Sequence, residues 1–286
     1  MKLLRFGPEG HEKPGLLDEH GKIRDASSLY RDFSPAFFAD GGIDILRRAD
    51  IARLPVVEGN PRLGSCVAQP GNFIAIGLNY VQHAIETNAP IPDEPIIFNK
   101  APSCLSGPND SVVLPRGSTK CDWEVEIALV MGRRALYVSD ENALDYVAGY
   151  CVCNDVSERE MQLEHGGQWV KGKMFPSFGP LGPWLVTPDE LGEVQNLGLW
   201  LELNGKRIQN SSTSDMIFRL ATIVSYVSRH VLLLPGDVIT TGTPPGVGLG
   251  MKPERFLKPG DMMELGVEGL GTQKQTVINF EDSALA

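Results

Sequence analysis

The sequence is poor in cysteine and has no long hydrophobic run. Its five cysteines form no Cys-x-x-Cys pair, which excludes a zinc ribbon and a thioredoxin-like redox motif. No apolar stretch approaches the length that spans a membrane, and the N-terminal residues lack the apolar segment of a signal peptide. We therefore expect a cytoplasmic protein with reduced thiols and no membrane contact.

Positive charge is also scarce. The chain has 26 Lys and Arg residues against 36 Asp and Glu residues, which gives a formal net charge of −10. A broad basic surface for nucleic acid is therefore not expected. A small anionic substrate remains compatible with this charge, because a metal ion and a few local cations can set the field inside a cleft.

Long helical patterns are rare, and short strands between Pro-Gly-Asp or Asn-Gly turns dominate. The 286 residues, 42% of them hydrophobic, are enough for one large domain with or without a small one. We predict a small N-terminal domain over residues 1–68 and a larger domain over residues 69–286. The expected fold class is mostly β with α, that is, α+β.

Two local elements are predicted from turn and capping residues. Asn204-Gly205 is expected to form the turn of a hairpin over residues 200–208. Ser214-Asp215 is expected to cap a helix over residues 216–229, which has one apolar face.

The stretch around which the chain is organised is Lys120–Ala128, with the sequence KCDWEVEIA. Read with the period of two of a β-strand, its side chains divide into an apolar face and an acidic face. The apolar face is Trp123, Val125 and Ile127, and the acidic face is Asp122, Glu124 and Glu126. Neighbouring carboxylates repel one another unless water, basic partners or a cation screens them.

Two interpretations of the acidic face follow. On an exposed strand, water would solvate the carboxylates and no function would be implied. Alternatively, Glu124 and Glu126 present hard oxygen donors to one point, which suits Mg²⁺, Mn²⁺ or Ca²⁺. Such a site needs a third acid from elsewhere, and Asp155, which follows the apolar run 150–153, is placed to supply it.

A histidine and a glutamate follow the predicted buried strand 73–76. If residues 81–88 form a helical turn, His83 and Glu86 lie at positions i and i+3 on one face. The carboxylate would then orient the imidazole and raise its basicity, so that the pair could activate water as a general base. The alternative is an ordinary ion pair on a helix surface.

Two further segments have the composition of site loops. Residues 157–182 mix polar groups with Trp169 and Phe175, as lids do, although ordinary surface loops have the same composition. The glycine-rich residues 242–248 match neither a P-loop nor a dinucleotide-binding loop. Their backbone N–H groups and the Thr243 hydroxyl could still hold a carboxylate or an enolate.

Taken together and in this order, the motifs resemble the fumarylacetoacetate hydrolase superfamily. The matching segments are Ile76-Gly-Leu-Asn-Tyr80 with His83 and Glu86, Asp122-Trp-Glu-Val-Glu126, Asn154-Asp-Val-Ser-Glu-Arg159, Lys173, and Thr241-Gly-Thr-Pro-Pro-Gly-Val-Gly248. The resemblance covers residue 69 to the end. It implies a mixed β-roll with a small, variable N-terminal domain, assembled as a homodimer.

The resemblance also implies a site. It implies Mg²⁺ or Mn²⁺, with Ca²⁺ as a substitute in crystals, held by Glu124, Glu126 and Asp155. The catalytic residues implied are His83 and Glu86, which activate water, and Lys173, which lies near the metal. The substrate-binding residues implied are Tyr80, Lys100, Gln162 and Thr243.

The chemistry implied is hydrolysis of a C–C bond in an acylpyruvate-type 2,4-dioxo acid, with release of pyruvate. The chain resembles bacterial members that act on 2,4-diketo-3-deoxy sugar acids, so the partner we expect is a small anionic 2-oxo acid. Alternatives on the same site are oxaloacetate decarboxylation, hydroxymuconate isomerisation and ureidoglycolate lyase activity. A non-enzymatic reading, a metal-bound dimer that binds 2-oxo acids, fits the motifs less well.

Overall fold

A computed structural model describes residues 1–286 and contains eighteen strands and six α-helices. The strands are β1 (Lys2–Phe6), β2 (Lys13–Leu17), β3 (Ile23–Asp25), β4 (Leu63–Gly64), β5 (Phe73–Gly77), β6 (Ile96–Lys100), β7 (Leu105–Ser106), β8 (Val112–Leu114), β9 (Cys121–Asp122), β10 (Val125–Met131), β11 (Val147–Asn154), β12 (Ser157–Glu158), β13 (Gly179–Val186), β14 (Gly198–Leu203), β15 (Lys206–Ser212), β16 (Val238–Thr240), β17 (Met262–Val267) and β18 (Gly271–Asn279). The helices are α1 (Pro35–Ala39), α2 (Gly42–Arg48), α3 (Val81–Glu86), α4 (Arg159–Leu163), α5 (Val170–Lys173) and α6 (Leu220–His230).

The strands form one large sheet, one smaller sheet and a short two-stranded pair. The large sheet has eleven strands in the order β3-β2-β1-β13-β11-β10-β16-β5-β6, with β4 beside β1 and β7 beside β13. The smaller sheet has the order β15-β14-β17-β18-β8, and β12 pairs with β9. This architecture confirms the predicted α+β class, in which short helices connect or cap the strands.

Strands β10 and β11 form the centre of the large sheet and are buried along their whole length. Their antiparallel register places Val125 opposite Asn154 and Glu126 opposite Cys153. Just beyond the register, the Asp155 N–H donates to the Glu124 carbonyl oxygen at 2.9 Å. The ladder therefore brings the acids of two sequence-distant segments to one point.

The N-terminal strands extend the large sheet. Strand β1 pairs with β13 through Lys2 with Val186 and Leu3 with Leu185, while β2 and β3 continue outward from β1. The backbone hydrogen bonds of residues 1–25 thus join the sheet that carries the acids. The division of the chain at residue 68 stays a prediction, since a shared sheet does not define a domain boundary.

The two local elements predicted from turn and capping residues have different outcomes. The hairpin is confirmed, because Asn204 and Gly205 have φ values of 52° and 76°, as a type I′ turn requires. The helix starts later than predicted, at Leu220 rather than Met216. A capping box at Ser212 closes only a short 3₁₀ turn.

The late start of α6 has a tertiary cause. After the 3₁₀ turn the backbone is extended, and Met216 forms an isolated β-bridge with Tyr80. The Ile217 N–H donates to the Asn79 carbonyl oxygen at 2.8 Å, so the segment is tied to the residues that follow β5. These long-range bonds outweigh the local helix propensity.

Candidate active site

A cavity of about 110 Å³ lies where β5, β10, α3, α4, α5 and the glycine-rich loop meet. Its lining includes six of the predicted site residues: His83, Glu124, Glu126, Gln162, Lys173 and Thr243. It also includes Arg159, for which the sequence motifs gave no role. Four predicted site residues are not among those that line the cavity: Tyr80, Glu86, Lys100 and Asp155.

The acidic cluster is formed by Glu124, Glu126 and Asp155. One carboxylate oxygen from each residue lies within 4.8 Å of those of the other two, and all three side chains are buried. The interpretation of an exposed, water-solvated strand is therefore wrong. Three convergent oxygen donors with no nitrogen or sulfur fit a hard divalent cation such as Mg²⁺ or Mn²⁺.

The carboxylates of the cluster do not carry charge equally. Burial raises the pKa of Glu126 well above its usual range, and the charges of Asp155 and Glu124 raise it further. Burial acts in the same direction on Glu124, but Lys173 and Arg159 outweigh it and lower the pKa of Glu124 to about 2. A cation among the three oxygens would relieve the repulsion that raises the pKa of Glu126.

Glu126 is fixed in place by the neighbouring strand β16. Its Oε2 atom accepts hydrogen bonds from Thr240 Oγ1 at 2.5 Å and from the Gly242 N–H at 2.8 Å. Gly242 has a φ of +94°, and an added Cβ would lie 2.7 Å from the Cβ of Asn79. Glycine is therefore required where the loop turns past the acidic cluster.

Two buried lysines contact the acidic cluster. Lys173 Nζ lies 2.5 Å from Glu124 Oε2 and 3.0 Å from Asp155 Oδ2. Lys100 Nζ lies 2.5 Å from Asp155 Oδ1 and donates to the carbonyl oxygen of Lys173. Lys173 thus lines the cavity with its ammonium, whereas Lys100 supports Asp155 and the backbone of Lys173 from behind.

His83 and Glu86 form the predicted pair. Helix α3 spans Val81–Glu86, which confirms the predicted turn, and His83 Nδ1 lies 2.9 Å from Glu86 Oε1. The carboxylate of Glu86 also accepts from the Gly246 N–H at 2.8 Å. It therefore holds the imidazole in one orientation and leaves Nε2 as the free ring nitrogen of a residue that lines the cavity.

The Thr243 hydroxyl, predicted to bind the substrate, has two partners within the protein. It donates to the Val125 carbonyl oxygen at 3.0 Å and accepts from Gln209 Nε2 at 2.9 Å. The hydroxyl is therefore engaged within the protein. The Thr243 N–H has no protein acceptor, so the backbone of this residue is the better donor to a ligand.

Asp122 and Arg159 form a buried ion pair that sequence reasoning missed. Arg159 Nη2 lies 2.8 Å from Asp122 Oδ2 and 2.8 Å from Glu124 Oε1, and its Nη1 donates to Gln162 Oε1 at 3.0 Å. Asp122 also accepts from the N–H groups of Gly248 and Leu249. Asp122 therefore anchors Arg159 and the glycine-rich loop and is not part of the acidic cluster.

Replacing Asp122 by Asn is expected to lower the free energy of unfolding by about 3 kcal/mol. This is the low end of the roughly 3–5 kcal/mol for breaking a buried ion pair, because Glu124 still pairs with Arg159. Urea unfolding followed by circular dichroism measures the change. The control Glu202→Gln removes the surface partner of Arg207 and should cost at most about 1 kcal/mol. Equal losses in both variants would contradict the anchoring role of Asp122.

Comparison with known proteins assigns the chain to a family. Residues 72–278 match the model of the fumarylacetoacetate (FAA) hydrolase C-terminal domain. A relative from Burkholderia lata that carries only a general hydrolase name is 56% identical over 276 residues, which cover 96% of this chain and 98% of the relative. The chain belongs to the fumarylacetoacetate hydrolase family.

Solved structures agree with this assignment over nearly the whole chain. The fumarylacetoacetate hydrolase from Exiguobacterium antarcticum superposes with a TM-score of 0.87 at 33% identity, covering 98% of this chain and 99% of that one. The maleylpyruvate hydrolase from Sphingobium sp. SYK-6, solved with manganese(II) and pyruvate, has a TM-score of 0.81 at 26% identity, with coverages of 98% and 99%. Other neighbours carry isomerase names, so the family fold supports more than one reaction.

None of the helices is both long and apolar enough to cross a membrane. The longest of them, α6, has eleven residues and packs Leu220, Ile223, Val224 and Val227 into the core.

Proposed function

We propose that this protein hydrolyses a C–C bond in an acylpyruvate-type 2,4-dioxo acid and releases pyruvate. The observation that carries the proposal is one cavity lined by carboxylates of the acidic cluster, the ammonium of Lys173 and the imidazole of His83. A general base, a cation site and a fixed ammonium are the groups that this cleavage requires. The maleylpyruvate hydrolase neighbour supports it, since its name describes this kind of substrate.

The acidic cluster supplies the cation site. A divalent cation held by Glu124, Glu126 and Asp155 would provide a Lewis acid for the 2-oxo acid end of the substrate. The Thr243 N–H and the Nε2 group of Gln162 are free to donate to the carboxylate at that end.

His83 supplies the base. With Nδ1 held by Glu86, Nε2 accepts a proton from water, and the water oxygen bonds to the carbonyl carbon at position 4. The bond between carbons 3 and 4 then breaks, and its electron pair moves onto the pyruvate fragment as an enolate. The proton returns to carbon 3, so the products are pyruvate and the carboxylic acid of the acyl group.

Lys173 stabilises the negative charge that develops on the pyruvate fragment. Its ammonium is buried, 2% exposed, and is fixed by two carboxylates, so it needs no reorganisation during the reaction. Lys100 contacts Asp155 and the Lys173 carbonyl oxygen, and these contacts support a role for Lys100 in positioning both residues.

Two finer features come from the sequence resemblance and remain part of the proposal. Within the acylpyruvate class, the sequence resemblance favours a 2,4-diketo-3-deoxy sugar acid, whereas the side chains that line the cavity favour an apolar tail, as argued below. A homodimer is the expected assembly, and light scattering after size-exclusion chromatography would measure it.

Pyruvate release from a 2,4-dioxo acid is expected to depend on a divalent cation. The test is a coupled assay of pyruvate with Mg²⁺, Mn²⁺ or EDTA, on acetylpyruvate, a diketo-deoxy sugar acid and oxaloacetate, with ureidoglycolate followed as glyoxylate. Cation-dependent pyruvate from the dioxo acids supports hydrolysis. Release no faster than in the EDTA blank from every dioxo acid would contradict it, and activity on ureidoglycolate alone would favour the lyase alternative.

A further inference from the structure

The cations of the cavity are already paired. Lys173 contacts Glu124 and Asp155, and Arg159 contacts Asp122 and Glu124, all within 3.0 Å. No unpaired Lys or Arg side chain lines the cavity. A second carboxylate at the end of a substrate's tail would therefore meet no Lys or Arg side chain that is free of a carboxylate partner, and burying a charge without a counterion is costly.

The uncharged polar side chains of the lining are also engaged. Thr87 Oγ1 donates to the His83 carbonyl oxygen at 2.8 Å, and Thr243 Oγ1 donates to the Val125 carbonyl oxygen at 3.0 Å. The free side-chain groups are Gln162 Nε2 and His83 Nε2, which the proposed reaction uses, and the single indole N–H of Trp169. Several hydroxyl groups on a tail would find few partners here, and unpaired buried hydroxyls lower affinity.

The rings of Phe98 and Trp169 form an aromatic wall of the cavity beside Lys173. The Lys173 Nζ atom lies 5.2 Å from the ring centroid of Phe98, and the ring of Trp169 packs edge-on to Phe98 at 5.7 Å. Gly77 makes room for this indole, because a Cβ there would lie 2.3 Å from Trp169 Cζ3. The two rings are therefore fixed, and they present apolar surface next to the charged end of the cavity.

Leu78 is a further apolar residue that lines the cavity, and its backbone is strained. Its φ of +52° is in the left-handed region, which costs a non-glycine residue about 1–2 kcal/mol. The neighbouring Asn79 holds the conformation, because its side chain binds the carbonyl oxygen of Thr241 at 2.8 Å and the N–H of Phe218 at 2.7 Å. Strain of this kind is kept at sites where the position of a side chain matters.

We propose that the site selects an acylpyruvate with a short, apolar acyl tail, and that Leu78, Phe98 and Trp169 form the surface that selects it. The inference rests on the proposed function for the head of the substrate. The cavity of about 110 Å³ is well below the roughly 300–1,000 Å³ of sites for drug-sized ligands, which favours a short tail. Tails with a second carboxylate or with several hydroxyl groups are disfavoured.

Binding of two matched 2-oxo acids tests the tail without turnover. 2-Oxopentanoate and 2-oxoglutarate share the same head and chain length, but the first ends in a methyl group and the second in a carboxylate. Calorimetry of the Mn²⁺-loaded protein should show at least about tenfold tighter binding of 2-oxopentanoate, since an unpaired buried charge is costly. Equal binding, or tighter binding of 2-oxoglutarate, would overturn the proposal.

Turnover of three dioxo acids separates this proposal from the proposed function. We expect kcat/KM for butanoylpyruvate to exceed that for succinylpyruvate and for a 2,4-diketo-3-deoxy sugar acid by about tenfold or more. A preference for the sugar acid or the dicarboxylate would overturn the apolar tail but leave C–C hydrolysis standing. If none of the three dioxo acids released pyruvate, the proposed hydrolysis would be overturned. The preference for an apolar tail would still be tested by the binding of 2-oxopentanoate and 2-oxoglutarate.

Leu78→Asn tests the wall directly. Asn tolerates the left-handed region, so the backbone can stay as it is while the wall gains an amide. We expect the preference for 2-oxopentanoate over 2-oxoglutarate to fall by about tenfold. The control is Tyr137→Asn, because Tyr137 has a φ of +54° but is 74% exposed and does not line the cavity. An unchanged preference in a folded Leu78→Asn protein would remove Leu78 from the selecting surface.

Discussion

Glu126→Gln is expected to lower the rate of pyruvate release by about 10³-fold. The substitution keeps the size of the side chain but replaces one of three convergent carboxylates with a neutral group. A Lewis acid contributes several kcal/mol to this kind of reaction, and each 1.36 kcal/mol is tenfold in rate. Steady-state kinetics over a range of Mn²⁺ concentrations measures both the rate and the concentration of cation required.

A second measurement on Glu126→Gln separates lost cation binding from lost folding. Gln cannot carry the negative charge that repels Glu124 and Asp155, so the variant without added cation should be at least as stable as the parent protein. Its melting temperature should, however, no longer rise on addition of Mn²⁺. The control Glu264→Gln, at an exposed position of β17, should keep both the activity and the Mn²⁺-dependent shift. If Mn²⁺ raised the melting temperature of Glu126→Gln as much as that of the parent protein, Glu126 would not be part of the cation site.

His83→Ala is expected to lower hydrolysis of a 2,4-dioxo acid by about 10²–10⁴-fold, the usual contribution of a general base. Nδ1 of this imidazole is held by Glu86, so the substitution removes the one free ring nitrogen that lines the cavity. The chain also provides a matched control, a second His–Glu pair on the surface. His165 Nε2 lies 3.1 Å from Glu160, and its side chain is 46% exposed, so His165→Ala should leave the rate unchanged.

Oxaloacetate distinguishes the role of His83 as a base from a general disturbance of the site. Decarboxylation requires stabilisation of an enolate but no attack by water, so a decarboxylase activity, if present, should survive His83→Ala far better than hydrolysis does. Parallel loss of both activities would indicate that His83 shapes the site rather than activating water. In a His83→Ala background, Glu86→Gln should have little additional effect on hydrolysis, because residues that act as a unit are not additive.

The parts of the site that the sequence predicted are those encoded over short distances. The pairing of His83 with Glu86 follows from a spacing of three residues on one helical turn, and the structure confirms the turn and the contact. The alternation of Glu124 and Glu126 along one strand likewise predicted their convergence. Asp155 could be added because it follows a buried strand, and antiparallel pairing of β10 with β11 brings it to the same point.

The parts that the sequence did not predict depend on long-range contacts. Alternation alone places Asp122 on the same face as the two glutamates, but the ladder breaks between β9 and β10, and Asp122 instead meets Arg159. The role of Thr243 depended on Gln209 and Val125, which engage its hydroxyl and which no local motif connects to it. The signal that could have suggested the pair is an arginine, Arg159, that closely follows Asp155, together with an acid, Asp122, at the start of the acidic strand.

The network of buried charges described above also couples the binding of a cation to the binding of an anion. Its members are the carboxylates of Asp122, Glu124, Glu126 and Asp155 and the cations Lys100, Lys173 and Arg159. With all four carboxyl groups ionised, the four negative and three positive groups have a formal charge of −1; the raised pKa of Glu126 opposes this full ionisation, and a bound cation would favour it. A divalent cation would then change the charge to +1, which a monocarboxylate would neutralise. Because a net charge is costly in a buried site, a cation and an anionic substrate would each favour the binding of the other, by equal amounts. If one divalent cation binds the acidic cluster, the charge balance of the network favours one singly charged acid beside it.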